Sequence, residues 1–315
     1  MKIAITGGAG FIGSEMVRQL VEKDHQITVI DSLTYAGNIK TLDSAKDKID
    51  FQKVDIRNIE RLSLIFLEDN FDAVVNFAAE THVDNSISDP KIFLETNILG
   101  TFNLLELARK HKFRFLQVST DEVYGSIREG RFQELDKLDP SSPYSASKAS
   151  AELLMQSYIK TYSIEALGVR CSNNYGQFQH HEKLIPAFIS RIKRGNKVPV
   201  YGDGSNVREW IHVSDSVAGI TKVLENGKVG EYYNISSGHF HNNLEVTRRI
   251  LSYFGYGDQL IDFVEDRLGH DFRYALDSSK IQKELGWQSQ ISLDDGLKRT
   301  IDWYMNNPDF LSQGE

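Results

Sequence analysis

The run Gly7-Gly8-Ala9-Gly10-Phe11-Ile12-Gly13, directly behind the apolar stretch Ile3-Ala4-Ile5-Thr6, constrains this chain more than any other feature. A short strand that breaks into glycines at 7, 10 and 13 and resumes with helical periodicity reads as a strand-turn-helix unit. Each glycine has a task in such a unit: a tight turn, close backbone approach to a pyrophosphate, and tight packing of helix on strand. The phosphate charge belongs at the positive end of the helix. A glycine-rich turn without a ligand is the competing reading. Against it, Asp31 closes a second apolar run 18 residues after Gly13, where a carboxylate accepts hydrogen bonds from an adenosine ribose diol and repels a 2′-phosphate. The unit therefore predicts NAD as cofactor, in preference to NADP.

The rhythm continues along the chain. Short β-branched or apolar runs at 2–6, 26–31, 50–55, 72–79, 114–120 and 165–172 alternate with helical periodicity at 12–23, 58–69, 91–111 and 144–162. Such alternation marks parallel strands joined by crossover helices. The fold class expected is α/β, a Rossmann-type doubly wound parallel sheet. After about residue 175 the pattern loosens, with helices expected near 183–194, 214–226, 243–254 and 292–306. Residues 1–175 are thus read as the NAD-binding domain and 176–315 as a smaller α/β substrate-binding lobe. No Pro/Ser-rich linker separates them, so the boundary is soft and strands can cross it.

Composition narrows the partners. A net charge of −8, from 44 acidic against 36 basic residues, argues against a general binder of nucleic acid or anionic membranes, because those functions rest on positive fields. The single cysteine, Cys171, rules out an intrachain disulfide framework and points to the reducing cytoplasm. No apolar stretch approaches the roughly 20 residues of a membrane span, and neither a signal peptide nor an anchor is expected.

By the same topology, the ends of the third strand (Asp55, Ile56) and the fourth (Phe77-Ala78-Ala79-Glu80) should line the cofactor crevice, since α/β ligands bind at the carboxyl ends of strands. For Asp55 a turn or cap role is nearly as good an account. The fifth strand ends in Ser119-Thr120, followed at once by Asp121 and Glu122. Alone, that acidic pair reads best as a helix cap and a first-turn acid. It gains meaning from Tyr144 and Lys148, one helical turn apart behind Pro143. On one helix face an ammonium can lower a phenol's pKa from near 10 toward working pH, which makes a base for an alcohol. Two further carboxyl groups suggest chemistry beyond oxidation, because removing water needs one group to take a carbon-bound proton and another to protonate the departing oxygen.

These motifs together resemble the extended short-chain dehydrogenase/reductases, and within them the nucleoside-diphosphohexose 4,6-dehydratases. The likeness covers almost the whole length. It includes Thr6 to Gly13, Asp31 to Asn38, Asn76 to Asp84, Ser119 to Gly125 and Tyr144 to Lys148. It continues through Arg170 to Gly176, Glu182 to Pro186, Tyr201 to Gly204, Arg208-Glu209-Trp210 and Asp266 to Asp271. The Thr120-Asp121-Glu122 triplet is the specific part, since epimerases and simple reductases of the superfamily usually lack the acidic pair. The resemblance implies an internal redox cycle on tightly held NAD that yields a 4-keto-6-deoxy sugar nucleotide, and a homodimer paired through helices 91–111 and 144–162. In it Tyr144, with Lys148 and Thr120, takes the sugar 4-hydroxyl proton while hydride leaves C4. Glu122 then takes the C5 proton, Asp121 protonates the departing 6-hydroxyl, and hydride returns to C6.

The resemblance also carries cofactor contact onto Gly7, Gly10, Phe11, Ile12, Gly13, Asp31, Ser32, Leu33, Thr34, Asp55, Ile56, Phe77, Ala78, Ala79, Thr96, Tyr144, Lys148 and Asn174. Substrate contact falls on Thr81, Thr120, Asn173, Lys183, Leu184, Pro199, Tyr201, Arg208, Asn243, Arg267, His270 and Tyr274. Arg208 and Arg267 would clamp phosphates with the guanidinium fork, and Tyr201 would stack on the base. Departures from the pattern cluster on the substrate side: Gln177-Phe178, Glu209, Asn85 and Ser236 to His239. Reaction type is therefore read more firmly than substrate, and a UDP- or GDP-linked N-acetylhexosamine stands beside dTDP-glucose. A 4-epimerase, a decarboxylase and a non-catalytic NAD sensor are the other readings. No metal is expected, because neighbouring histidines such as His180 and His181 in a polar loop are more often solvated.

Overall fold

A computed structural model of the chain describes residues 1–266 and 271–311. Arg267 and His270, two of the expected substrate contacts, lie outside the described residues. The strands are β1 (Lys2–Thr6), β2 (Gln26–Asp31), β3 (Ile49–Lys53), β4 (Ala73–Asn76), β5 (Arg114–Thr120), β6 (Ala166–Cys171), β7 (Asn173–Tyr175), β8 (Val198–Tyr201), β9 (Val207–His212), β10 (Tyr232–Ile235), β11 (Phe240–Asn242) and β12 (Ile261–Val264). The α-helices are α1 (Phe11–Val21), α2 (Ile59–Glu68), α3 (Val83–Ser88), α4 (Pro90–Phe93), α5 (Thr101–His111), α6 (Pro143–Tyr162), α7 (Leu184–Lys193), α8 (Val213–Asn226), α9 (Asn243–Tyr253), α10 (Ser279–Leu285) and α11 (Leu293–Asn306).

Seven strands form one sheet in the order β10-β6-β5-β4-β1-β2-β3, every neighbouring pair parallel. A parallel sheet needs apolar cover on both faces, and the alternation along each strand supplies it. Ile3 and Ile5 of β1, Leu116 and Val118 of β5, and Leu167 and Val169 of β6 enter one core, which α1 and α8 cover. Ala4, Val74, Phe115 and Ala166 face the opposite core, built with α2, α5 and α6. The chain order reverses between β1 and β4, and the crevice opens there at the strands' carboxyl ends. A third core lies among α7, α9, α11 and the small strands β8 and β9. β10 and α8 follow residue 175 in the chain yet pack on the large sheet.

The expected strands form within a few residues of their predicted bounds, with one instructive exception. The run 72–79 pairs only as far as Asn76, after which Phe77–Glu80 leaves the sheet to wall the crevice. The helix expected at 91–111 is one winding run from Pro90, whose middle section, Leu94–Gly100, is π-helical. That wider turn, a form frequent at functional sites, buries Asn97 and puts Thr96 on the crevice wall. Local signals set the ends of α6: Pro143 occupies its first turn, and the Ser142 hydroxyl accepts the Ser145 N–H at 3.1 Å in a capping box.

Candidate active site

The glycine loop turns tightly because nothing larger fits. Gly7 has φ +69°, and a Cβ on it would stand 2.5 Å from the Ala78 backbone nitrogen. One on Gly13 would lie 2.3 Å from the Gly7 carbonyl oxygen. The loop thereby brings the N-terminus of α1 onto the cleft with no side-chain cap, leaving first-turn N–H groups free to face an anion. Asp31, buried, accepts the Ala9 N–H at 2.9 Å and the Leu33 N–H at 2.8 Å. It fixes the glycine loop as well as facing the cleft, and burial raises its carboxyl above the ordinary value.

Of the residues expected at the cofactor, Gly7, Gly10, Phe11, Ile12, Gly13, Asp31, Ser32, Thr34, Asp55, Ile56, Phe77, Ala78, Ala79, Thr96, Tyr144, Lys148 and Asn174 line this one cleft. Leu33 does not: its side chain packs against the core under α1, and its N–H holds Asp31. Asp55 is engaged by Arg57, which accepts no role in the sequence reading and also lines the cleft. The Ser119, Ser172, Asn173 and Asn174 side chains each keep a buried oxygen with no hydrogen-bond partner among the described residues, as does Asp121 Oδ2, and all line the cleft. A cleft with an uncapped helix end, a ribose-type carboxylate and unsatisfied polar atoms along its wall fits a dinucleotide.

The reacting groups meet at the end of β5. Thr120 Oγ1 donates to Asp121 Oδ1 at 3.1 Å and accepts the Glu122 N–H at 3.3 Å, and the Tyr144 phenol lies within the electrostatic reach of all three residues. Asp121 is fully buried; burial first, then the neighbouring Glu122 charge, hold its carboxyl well above the ordinary range. Glu122 is more open to solvent. The environment thus separates the two acids, which adjacency in sequence could not do. Tyr144 and Lys148 share the inner face of α6 as their spacing requires. The direct effect expected of the ammonium on the phenol is not what the geometry gives. Burial and the Glu122 charge push Tyr144 up, while Lys148 Nζ donates to the Val118 carbonyl at 2.7 Å and is itself pushed down to about 8 by burial.

The expected substrate residues divide into two groups. Thr81, Thr120, Asn173 and Lys183 line the cleft. Pro199 and Tyr201 lie on β8, Arg208 on β9 and Asn243 at the start of α9, Tyr274 packs against Arg208, and Leu184 opens α7 against the third core. Arg208 is buried, lies 4.4 Å over the Tyr274 ring, and donates to the Asp271 carbonyl at 2.9 Å. Its charge reaches Asp121, and that of Glu122 reaches Tyr274, so the acids on the cleft wall face the Arg208–Tyr274 pair. Sequence reasoning missed Asn97, whose side chain accepts the Glu80 N–H at 2.8 Å and donates to Ser147 Oγ at 2.8 Å, tying the cleft wall to α6. Its partners are 17 and 50 residues away, and no local pattern could have marked it. Ser119, Cys171 and Ser172 were findable, because they too end strands of the sheet.

Comparison with known proteins agrees with this arrangement. The chain is 48% identical over 98% of its length to the low-salt glycan biosynthesis protein Agl12 of Haloferax volcanii, covering 99% of that protein. It is 44% identical, with 98% of both chains covered, to the dTDP-glucose 4,6-dehydratase of Haemophilus influenzae. Among solved structures, DesIV of Streptomyces venezuelae, a dTDP-glucose 4,6-dehydratase crystallised with NAD, superposes with a TM-score of 0.96 at 44% identity over 99% of each chain. With residues 4–300 also matched by the family model described as GDP-mannose 4,6 dehydratase, a chain that carries the acidic pair, the tyrosine and the dinucleotide cleft in one place belongs to that family of dehydratases.

Proposed function

We propose that this protein is an NAD-dependent sugar-nucleotide 4,6-dehydratase, converting a nucleoside-diphosphate hexose, dTDP-glucose first among them, into its 4-keto-6-deoxy derivative. The observation that carries the reading is the separated pair: a buried Asp121 biased toward the acid form beside a more open Glu122, both next to Thr120 and Tyr144. The N-terminus of α1 and Gly10 would hold the cofactor pyrophosphate, and Asp31 the adenosine ribose. Bound there, oxidised NAD would supply a hydride acceptor for C4, a hydride donor for C6 and a positive charge in the cleft. Tyr144 takes the 4-hydroxyl proton, oriented by the Thr120 hydroxyl. A buried phenol gives up its proton only with positive charge near it, and Lys148 contributes to that field. Once C4 is a ketone, the C5 hydrogen is acidic, and Glu122 removes it as a proton. Asp121 then delivers its proton to the departing 6-oxygen, which leaves as water, and Glu122 returns a proton to C5 when hydride comes back to C6.

In this reading residues 1–175 chiefly hold the dinucleotide and 176–315 the sugar nucleotide. The enzyme works as a homodimer through the α5 and α6 face, where Leu99, Phe102, Leu153 and Tyr162 are exposed. A cytoplasmic location goes with the lone cysteine, buried and free. Mass spectrometry of reactions with dTDP-, UDP- and GDP-linked hexoses and N-acetylhexosamines tests the proposal. Loss of one water without added reductant is expected, and the best substrate identifies base and sugar together. An unchanged mass with inverted C4, or no product from any member of the panel, overturns it.

A further inference from the structure

The loop between β7 and α7 carries His180-His181-Glu182, and the fold brings it against His82, the residue at the N-cap of α3. Glu182 Oε2 lies 3.5 Å from His180 Nδ1 and 3.7 Å from His82 Nε2. Ligand atoms of His180, His181 and Glu182 all fall within 4.8 Å of one another. The two adjacent rings stand 4.2 Å apart, and Tyr35 braces His180 edge-on at 5.6 Å. A tetrahedral zinc ion, with bonds of about 2.0–2.2 Å, sets its ligand atoms roughly 3.3–3.6 Å apart. Two of the observed separations, both to Glu182 Oε2, are already near that spacing, and rotation of the His82 and His181 side chains about their own bonds would close the set around one ion. Imidazoles with a single carboxylate suit zinc and its transition-metal neighbours, whereas magnesium and calcium call for oxygen donors.

We propose that His82, His180, His181 and Glu182 form a binding site for one divalent transition-metal ion of the zinc class at the mouth of the cleft. The site joins two sides of the cleft. His82 follows Thr81, and Glu182 precedes Lys183, and both Thr81 and Lys183 line the cleft. A bound ion therefore tethers the segment after β4 to the segment before α7 and restrains the route by which a sugar nucleotide would enter. The binding itself does not depend on the dehydratase reading.

The test is zinc titration of the untagged protein against a chromogenic chelator, with cobalt(II) absorption as a report of coordination geometry. One equivalent per chain is expected, together with the intense visible bands of four-coordinate cobalt. The paired substitution His180→Ala/His181→Ala should weaken binding by at least about 100-fold and abolish the bands, and His82→Asn should weaken it by about tenfold. His181→Asn alone, with far-ultraviolet circular dichroism matching the parent, guards against a misfolded double variant and should also lose most of the affinity. Cys171→Ser should bind as the parent does. Failure to compete with the chelator, retention of the equivalent in the histidine variants, or loss of it in Cys171→Ser would each refute the site.

Discussion

Asp121 and Glu122 are neighbours in sequence with identical acid chemistry, and their different burial sets them apart. The side chain that turns inward at the end of β5 loses water and faces a neighbouring negative charge, which holds its carboxyl well above the ordinary range. In the proposed mechanism the two groups are needed at different steps. Tyr144→Phe is expected to abolish hydride transfer from C4, because the 4-hydroxyl proton then has no acceptor. Glu122→Gln and Asp121→Asn should still permit that transfer and stall afterwards, so reduced cofactor accumulates. Stopped-flow absorbance of the reduced nicotinamide separates the two classes, and wild-type turnover in all three variants would defeat the assignment. Glu209 gives a second case. Completely buried on β9, it accepts N–H groups from Gly238 at 2.5 Å and Leu276 at 3.2 Å, and burial raises it from 4.5 to about 7. A carboxyl raised in the folded state stabilises the fold while protonated. Its contribution is present at low pH and is lost as pH rises from about 4.5 through about 7, a change of about 3 kcal/mol at most. Urea unfolding between about pH 5 and pH 8 should therefore show a shallower decline for Glu209→Gln than for the parent. Equal slopes would place the titration elsewhere.

Elements hold these residues in place through pairings that cross large sequence distances. Arg170 on β6 and Glu152 on α6 form a buried ion pair at 2.6 Å, with the Arg170 guanidinium also donating to the Tyr124 hydroxyl at 2.6 Å and lying 4.5 Å from the Tyr232 ring. This cluster fastens α6, and with it Tyr144 and Lys148, to the sheet. Removing one partner of such a pair leaves an uncompensated buried charge, so Glu152→Ala should cost about 3–5 kcal/mol in chemical denaturation. Replacement of both partners by apolar residues should cost much less, and a small loss in the single variant would contradict the packing described. The α-helical periodicity of residues 144–162 was legible in the sequence, whereas the capping box that Ser142 builds with Ser145 ahead of it was not. Nor was the salt bridge, because nothing in a one-dimensional pattern pairs residue 152 with residue 170.

At the scale of the whole molecule, the large sheet borrows from both halves of the chain. β10 and α8 lie beyond residue 175 and complete the sheet and the core beneath it, so the lobes share structure as well as a cleft. The opposite side, on α5 and α6, leaves Phe102 and Leu153 exposed, an apolar face of the kind that marks an interaction surface. Phe102→Glu combined with Leu153→Glu should convert a dimer to monomers in light scattering coupled to gel filtration, and a parent that is already monomeric would remove the dimer proposal. The sequence by itself determined six of the seven strands of the large sheet, their order along the chain and the glycine cradle, because period-two and helical apolar patterns and the steric demands of glycine act over a few residues; β10 joins the sheet from far along the chain without such a mark. It also located Tyr144, Lys148 and the acidic pair, whose spacings are local. Only the tertiary structure decided which acid is buried, that Lys148 answers to the Val118 carbonyl, that Asn97 ties the cleft wall to α6, and that His82 meets Glu182. Desolvation and contacts between distant segments exist only once the chain has closed on itself, and those are the forces that set protonation and position here.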